Sequence, residues 1–305
     1  VRRDYRRAFR GLFGGGAGAA RRIYINEGII ETNLSILQAI FLGVIQGAAE
    51  FIPVSSSGHL VLVPWLLGWE APPNLTFIIV LHLGTTAAVL VYFWPDWGAL
   101  LRSGLDWLRN RDAPNPGSQL LLLLVIGTVP AAIVGCALSH TIDALTSHPL
   151  PASIFLLVTS LILFANSLQR RLGRSLEGLT PRDALFIGMA QALAVFAGIS
   201  RSGITITAGR MRGLDREDAA RFSFLLAMPV ILGAGILSRA GLVQEGHWAN
   251  QLPALVAGFA SAAVIGYMSI RWLMGYLKKS STLVFAVYCA LAGSVGLVVF
   301  MLRGG

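Results

Sequence analysis

Apolar residues run along this chain in stretches of bilayer length, and polar residues mostly fall between them. Two stretches break the rule. In residues 34–68, Leu34–Ile52 and His59–Leu67 are each apolar, but Pro53 and Ser55-Ser56-Ser57-Gly58 divide them. Proline ends a helix, and the second piece is shorter than the ~20 residues that cross a bilayer. The pair reads as a re-entrant hairpin that enters, turns and leaves on the same side. Backbone outside a helix at that depth must be lined by protein or water. Three spans follow, at about Leu75–Trp94, Gln119–Ser139 and Pro151–Leu168. Within Pro95–Ser118, Trp97, Leu100, Leu101, Leu105, Trp107 and Leu108 predict a short interfacial helix. Ala184–Ile199 and Gly203–Thr207 make a second hairpin, residues 184–207, and spans at about Asp218–Leu237, Leu252–Tyr276 and Leu283–Leu302 follow it. Thr32 and Asn33 are the expected N-caps of the first helix.

The two hairpins are copies. Phe41, Gly43, Gln46, Ala49, Phe51, Ser55, Ser57 and Gly58 match Phe186, Gly188, Gln191, Ala194, Phe196, Ser200, Ser202 and Gly203, without a gap. Apolar matches are common by chance; Gln, two Ser and Gly in register are not. The copies differ where chemistry would sit: Glu50 against Val195, Ser56 against Arg201, His59 against Ile204. Each half is one hairpin plus three spans. Three is odd, so the second half enters from the opposite face. The expected fold is an all-α polytopic membrane protein built as an inverted-topology repeat, with the hairpins meeting near the midplane. Repeat one is residues 32–168 and repeat two residues 169–305. Residues 1–31, with seven arginines around a Gly/Ala-rich patch, are expected to be a disordered basic tail.

Composition agrees. The chain is 55% hydrophobic and 13% charged, with mean hydropathy +0.68; soluble domains carry about 25% charge. The net charge of +9 does not indicate nucleic acid, because the arginines lie mainly between apolar runs. Arg102, Arg109, Arg111, Arg170, Arg171, Arg174, Arg182, Arg210, Arg212, Arg216, Arg221, Lys278 and Lys279 gather in loops on one face, against Arg239 and Arg303 on the other. Positive residues mark the cytoplasmic side, so hairpin one and both chain ends lie outside. Cys136 and Cys289 sit alone in separate apolar runs and read as small core residues.

Gln46 and Glu50 stack on one helical face. A carboxylate at bilayer depth costs about 2.5–3.5 kcal/mol, so Glu50 must be paired, hydrated or bound to a metal. Ser55, Ser56, Ser57 and Gly58 open a half-helix and form either a simple N-cap or an anion cradle. His59, just past the turn, suits acid–base or nucleophilic work. Ser200-Arg201-Ser202-Gly203 places a guanidinium fork between two hydroxyls, a pattern that suits phosphate or a salt bridge to Glu50. His82 reads as packing or as support behind the site, and His140, His148 and His247 as loop residues. A cation, hydroxyls, a carboxylate and an imidazole inside a bilayer point to hydrolysis of a lipid-linked phosphate.

The two motifs resemble those of the undecaprenyl-diphosphatases, the bacitracin-resistance type of integral membrane phosphatase. The first looks like Gln46-x-x-x-Glu50 followed by Phe51-Ile-Pro-Val-Ser-Ser-Ser-Gly-His59, the second like Ala197-Gly198-Ile199-Ser200-Arg201-Ser202-Gly203. The likeness runs from about residue 34 to 302. It implies cleavage of undecaprenyl diphosphate, or another polyprenyl diphosphate, to the monophosphate and inorganic phosphate. That reaction recycles the carrier lipid for peptidoglycan and confers bacitracin resistance. It also implies Mg²⁺ or Ca²⁺, a site opening to the periplasmic side of the inner membrane, and leaves a homodimer open. On the resemblance, Glu50 and Gln46 handle the metal and diphosphate, and Arg201 clamps phosphate. His59 and Ser56 sit at phosphorus; Ser55, Ser57, Gly58, Ser200, Ser202 and Gly203 bind and orient it. Two positions depart from the family: Gln46 stands where many members have Glu, and Ala197 where proline is usual.

The residues leave the nucleophile open among His59, Ser56 and water. A transporter or flippase of a phosphorylated lipid is the rival reading, since inverted repeats with midplane hairpins also build carriers. An acid-phosphatase-like site is disfavoured, because the only histidine after Arg201 is His247, with no aspartate four residues on.

Overall fold

The computed structural model describes residues 34–69, 73–110, 115–146, 148–169, 173–237 and 248–304. The basic tail and His247 lie outside them. Among the described residues there are eleven α-helices. The first hairpin is α1 (Ile36–Phe51) and α2 (Ser56–Leu66). Then come α3 (Leu75–Tyr92), the amphipathic α4 (Trp94–Asn110), α5 (Pro116–Thr146) and α6 (Pro149–Ser167). The second hairpin is α7 (Pro181–Ala192) and α8 (Arg201–Met211). It is followed by α9 (Arg216–Leu237), α10 (Trp248–Lys279) and α11 (Leu283–Leu302). Five stretches are long and apolar enough to cross a bilayer: α3, residues 116–137 of α5, α6, residues 251–279 of α10, and α11. The sixth expected span is helical as α9.

Several boundaries differ from expectation for local reasons. Thr32 and Asn33 lie outside the described residues; Ser35 caps α1 instead, in a reciprocal box with Gln38. The fully apolar stretch from Gln119 is extended to Pro116 and Thr146, so His140 falls inside α5 rather than in a loop. The second arm of hairpin two runs four residues past Thr207, to Met211. Arg210 therefore lies in a helix. It is fully buried, and its guanidinium donates to the carbonyls of Leu214 (2.8 Å) and Gln169 (3.3 Å). Cys289 is buried as expected, but Cys136 is exposed on α5.

The surface is that of a membrane protein. Leu122, Val125, Val129 and Ile133 on α5, and Val284, Val287, Leu291, Val295 and Val298 on α11, are exposed, while Gln46, Glu50, Ser200 and Ser202 are buried. Apolar outside and polar inside is the reverse of a water-soluble fold. The chain is an all-α, multi-pass membrane protein.

The packing is reciprocal. α1 lies along α10, and α7 lies along α5; α3 also meets α10, and α9 also meets α5. The first arm of each hairpin thus rests on a long helix of the opposite half of the sequence, while α6 and α11 pair directly. Matched glycines permit this. A Cβ at Gly43 would fall 2.6 Å from the Gly258 carbonyl oxygen, and one at Gly188 would fall 2.4 Å from that of Gly127. Small residues let membrane helices approach closely where there is no hydrophobic drive between them.

The hairpins are anchored at their bases. Asp183 begins α7 and bonds Arg212 at the end of α8 (2.6 Å) and Arg174 (2.8 Å), inside a capping box with Thr180. Burial alone would raise the Asp183 carboxyl; Arg212, the Thr180 hydroxyl and N–H, and Arg174 outweigh it and hold it down at about 2. Nearby, Arg216 donates to the Ser280 carbonyl (3.0 Å) and Lys278 pairs with Glu217, just before α11 starts. At the other end of α11, Arg303 donates to the carbonyls of Trp65 (2.7 Å) and Leu66 (3.1 Å), where hairpin one leaves.

Two outcomes follow from these contacts. A Cβ at Gly47 would lie 2.7 Å from the Ala262 carbonyl oxygen and 2.8 Å from the Gly266 nitrogen, so Gly47→Val should destabilise by about 1–3 kcal/mol, read as a lower Tm in detergent. Asp183→Asn should remove a pH-dependent contribution. That contribution is complete above the ordinary value of 3.8 and is lost as pH falls through about 2. Wild type and variant should therefore differ in Tm at neutral pH and converge in strong acid.

Candidate functional site

The site forms where the two hairpin tips meet. α1 ends at Phe51, and Ile52-Pro53-Val54 leads into Ser55, the one described non-glycine residue with positive φ (70°). The strain is held by hydrogen bonds. The Ser55 hydroxyl caps α2 by accepting from the Gly58 N–H (3.3 Å), and it also accepts from the Gly198 N–H of hairpin two (3.2 Å). Gly198 must be glycine: its φ is 104°, and a Cβ there would meet the Ala152 carbonyl oxygen at 2.5 Å. Gly58 is equally confined, since its Cβ would fall 3.0 Å from the Gly198 Cα. On the second tip, the Ser200 hydroxyl caps α8 from the Gly203 N–H (3.1 Å) and lies 3.2 Å from the Ser202 hydroxyl. The Ser55 and Ser57 hydroxyls stand in the same relation at 3.4 Å.

Between the tips lies one carboxylate. Glu50 is 7% exposed and Gln46 fully buried. Glu50 Oε2 accepts from Gln46 Nε2 (3.0 Å) and from the Ser56 hydroxyl (2.5 Å). Its Oε1 accepts from Arg201 Nη2 (2.5 Å). His82 Nε2 stands 3.8 Å from Oε2, its Nδ1 held by the Ile78 carbonyl at 2.9 Å. Acid and cation, expected on separate copies of the motif, are thus in direct contact. Removing one partner of such a buried pair strands the other, at about 3–5 kcal/mol. Two polar atoms in the cluster are buried without a hydrogen-bond partner among the described residues: Gln46 Oε1 and Arg201 Nη1.

Gln46, Glu50, Ser56 and Arg201 are therefore brought together directly. Ser55, Ser57, Gly58, Ser200, Ser202 and Gly203 form the turns that aim them. His59 is turned elsewhere: its Nδ1 is 2.7 Å from the Ser55 carbonyl oxygen and its Nε2 is 2.7 Å from the Tyr288 hydroxyl. Two participants were not foreseen. Thr159 of α6 donates to the Gly198 carbonyl (2.7 Å) and accepts from the Ser200 N–H (3.0 Å), and Tyr288 comes from α11. Each is one of a few scattered polar residues in an apolar span, a pattern that ordinary helix packing also produces.

A hard divalent cation takes oxygen ligands, and Mg²⁺ is commonly held by one or two carboxylates plus substrate phosphate. Among the described residues no group of three or more His, Cys, Asp or Glu gathers. The Glu50 carboxylate and the unsatisfied Gln46 Oε1 nevertheless fit that donor set, provided phosphate oxygens complete it.

Fold and site together define a class: a polytopic helical membrane protein with a carboxylate, a guanidinium and a hydroxyl clustered between two buried helix ends. Residues 39–295 match the sequence model of the family described as "Bacitracin resistance protein BacA". The chain is 42% identical over 277 residues to an undecaprenyl-diphosphatase of Thermomicrobium roseum, covering 87% of this chain and 98% of the relative. It is 40% identical over 270 residues to that of Moorella thermoacetica (88% and 100%), and 39% over 309 residues to that of Mycobacterium avium (90% and 100%). The chain belongs to the BacA family.

Thr159→Val should leave the Gly198 carbonyl and the Ser200 N–H unpaired in a dry interior. At about 1–3 kcal/mol per stranded group, a fall in Tm is expected, with Thr159→Ser largely restoring it.

Proposed function

We propose that this protein hydrolyses undecaprenyl diphosphate to undecaprenyl phosphate and inorganic phosphate, which returns the carrier lipid to peptidoglycan synthesis and confers bacitracin resistance. Membership of the BacA family and the undecaprenyl-diphosphatase activity named for its relatives support this reading. The carrying observation in the structure is the Glu50–Ser56–Arg201 cluster held between two intramembrane helix starts. Other polyprenyl diphosphates carry the same reacting groups and are expected substrates. The reading requires no second copy of the chain.

Arg201 binds the diphosphate. Its Nη1 has no partner among the described residues, and its Nη2 can pass from Glu50 to a phosphate oxygen. Ser56 is the proposed nucleophile, because its hydroxyl already donates to a carboxylate. Its Oγ attacks the terminal phosphorus as its proton moves to Glu50. The bond from phosphorus to the bridging oxygen breaks, and undecaprenyl phosphate leaves with the electron pair. Water then cleaves the phosphoserine. His59 is the less direct candidate, since both its ring nitrogens are engaged. Ser57, Ser200 and Ser202 orient the phosphate, with the starts of α2 and α8 directed at it. A divalent cation bound by Glu50 and Gln46 would supply further positive charge to the phosphate oxygens.

The inverted repeat belongs to the same proposal, with residues 32–168 and 169–305 as its two halves. It is supported by the reciprocal packing of α1 on α10 and α7 on α5. It is supported too by the hairpin bases, which sit at opposite ends of α11: hairpin one beside Arg303, hairpin two on the side of Ser280. With the arginine-rich loops cytoplasmic, hairpin one opens to the periplasmic side of the inner membrane.

Phosphate release from undecaprenyl diphosphate by purified protein in detergent tests the reading. Glu50→Gln and Arg201→Ala should each slow it by about 100- to 1000-fold, Ser56→Ala comparably, and a chelator should abolish it. A carrier of the same lipid would release no phosphate at all.

A further inference from the structure

Tyr288 lies on the outward-facing stripe of α11, among exposed Val284, Val287 and Leu291, and is itself 46% exposed. Its hydroxyl nevertheless turns inward to His59 Nε2, at 2.7 Å. The two rings are stacked, with centroids 5.6 Å apart and planes inclined by 10°. His59 is 8% exposed and lies 229 residues away in sequence. The other ring nitrogen fixes the chemistry of the contact. A carbonyl oxygen only accepts, so the Nδ1 that meets Ser55 O at 2.7 Å carries the ring hydrogen. In the neutral ring Nε2 is then the bare lone pair, and the Tyr288 O–H donates to it.

We propose that Tyr288 is a positioning residue for His59: its hydroxyl caps Nε2 and, together with the Ser55 carbonyl, fixes the tautomer and plane of an imidazole one turn along α2 from Ser56. Neither contact can be made by rotating the ring alone. A flip about the Cβ–Cγ bond would take nitrogens away from both the carbonyl and the hydroxyl. If Nε2 becomes protonated, the contact survives with its direction reversed, N–H donating to the phenol oxygen, so Tyr288 serves His59 in either charge state. Further out, α2 and α11 stay in register through Trp65 against Phe300, with ring centroids 6.3 Å apart, and through Arg303 over the Trp65 ring at 4.7 Å. The position of Tyr288 is therefore set by a continuous seam and not by the single hydrogen bond.

The kinetic part of this proposal rests on the phosphatase reading; the contact itself does not. The test is Tyr288→Phe, which keeps the stacked ring and removes only the hydroxyl. Diethyl pyrocarbonate acylates an unprotonated imidazole nitrogen. Its rate at His59 is followed by peptide mass spectrometry on the purified protein, with His82 as internal reference. Uncapping Nε2 should raise the His59 rate by about three- to tenfold, the worth of one hydrogen bond, and leave His82 unchanged. In phosphate-release assays kcat should fall by a similar factor with KM nearly constant. In a His59→Ala background, Tyr288→Phe should cause no further fall. Equal His59 acylation in wild type and Tyr288→Phe would overturn the proposal, as would an undiminished effect of Tyr288→Phe once His59 is gone. Faster His59 acylation in a protein that releases no phosphate would instead sink the phosphatase reading and leave the positioning contact standing.

Discussion

A carboxylate and a guanidinium, drawn from opposite halves of the chain, neutralise each other at the centre of an apolar bundle. Neither Glu50 nor Arg201 could be placed there alone, because each would carry the full penalty of an unpaired ion away from water. Their pairing at 2.5 Å joins hairpin one to hairpin two. It also sets the chemistry. The pair is held from one side only: Arg201 Nη2 meets Glu50 Oε1, while Nη1 and Gln46 Oε1 stay unsatisfied among the described residues. On the proposed reading a phosphate shares the guanidinium, so the interaction that holds the two tips together is the one that substrate would loosen.

A polar cluster in a bilayer needs a way to break helices without stranding backbone groups. Here the answer is a small number of hydroxyls with double duty. Ser55 caps its own half-helix and accepts the Gly198 N–H of the facing tip. Thr159 bridges Gly198 O and Ser200 N across the second tip. These bonds position the tips to within hydrogen-bond tolerance, and the glycines at 58 and 198 let the two backbones approach closely enough to share them. Packing reinforces the same geometry from behind, where Gly43 and Gly188 bring each first arm against a long helix of the opposite half of the sequence.

Much of this was legible in the sequence because the informative residues repeat in register. Gln46, Ser55, Ser57 and Gly58 return as Gln191, Ser200, Ser202 and Gly203, and that regularity located both tips; the odd number of spans in each half predicted that they meet. The helix ends were less legible. Ser35 caps α1 because Gln38 completes its box, a contact that depends on side-chain geometry rather than residue type. Arg210 reads as a loop cation by charge, yet it is buried in the last turn of α8, where its guanidinium closes the Leu214 and Gln169 carbonyls. Thr159 and Tyr288 were illegible for a different reason. Each acts across the bundle on a residue far away in sequence, and scattered hydroxyls in an apolar span carry no spacing to read.

The differences between the copies carry more physics than the matches. A site with two identical faces would set a carboxylate opposite a carboxylate, and like charges at close range cannot both stay ionised in a medium of low dielectric. Here Val195 stands at the second acid position and Arg201 at the second Ser56 position, which turns that repulsion into attraction. The substitution leaves a trace. Gln191, the counterpart of Gln46, is 2% exposed, and neither end of its amide has a hydrogen-bond partner among the described residues. Gln46 has Glu50 one turn ahead to receive its amide hydrogens; Gln191 has Val195. The amide nitrogen thus has a partner in the segment that carries the acid, and neither amide atom has one where valine stands instead. Such asymmetry is expected where one carboxylate, and no second, is wanted beside a phosphate.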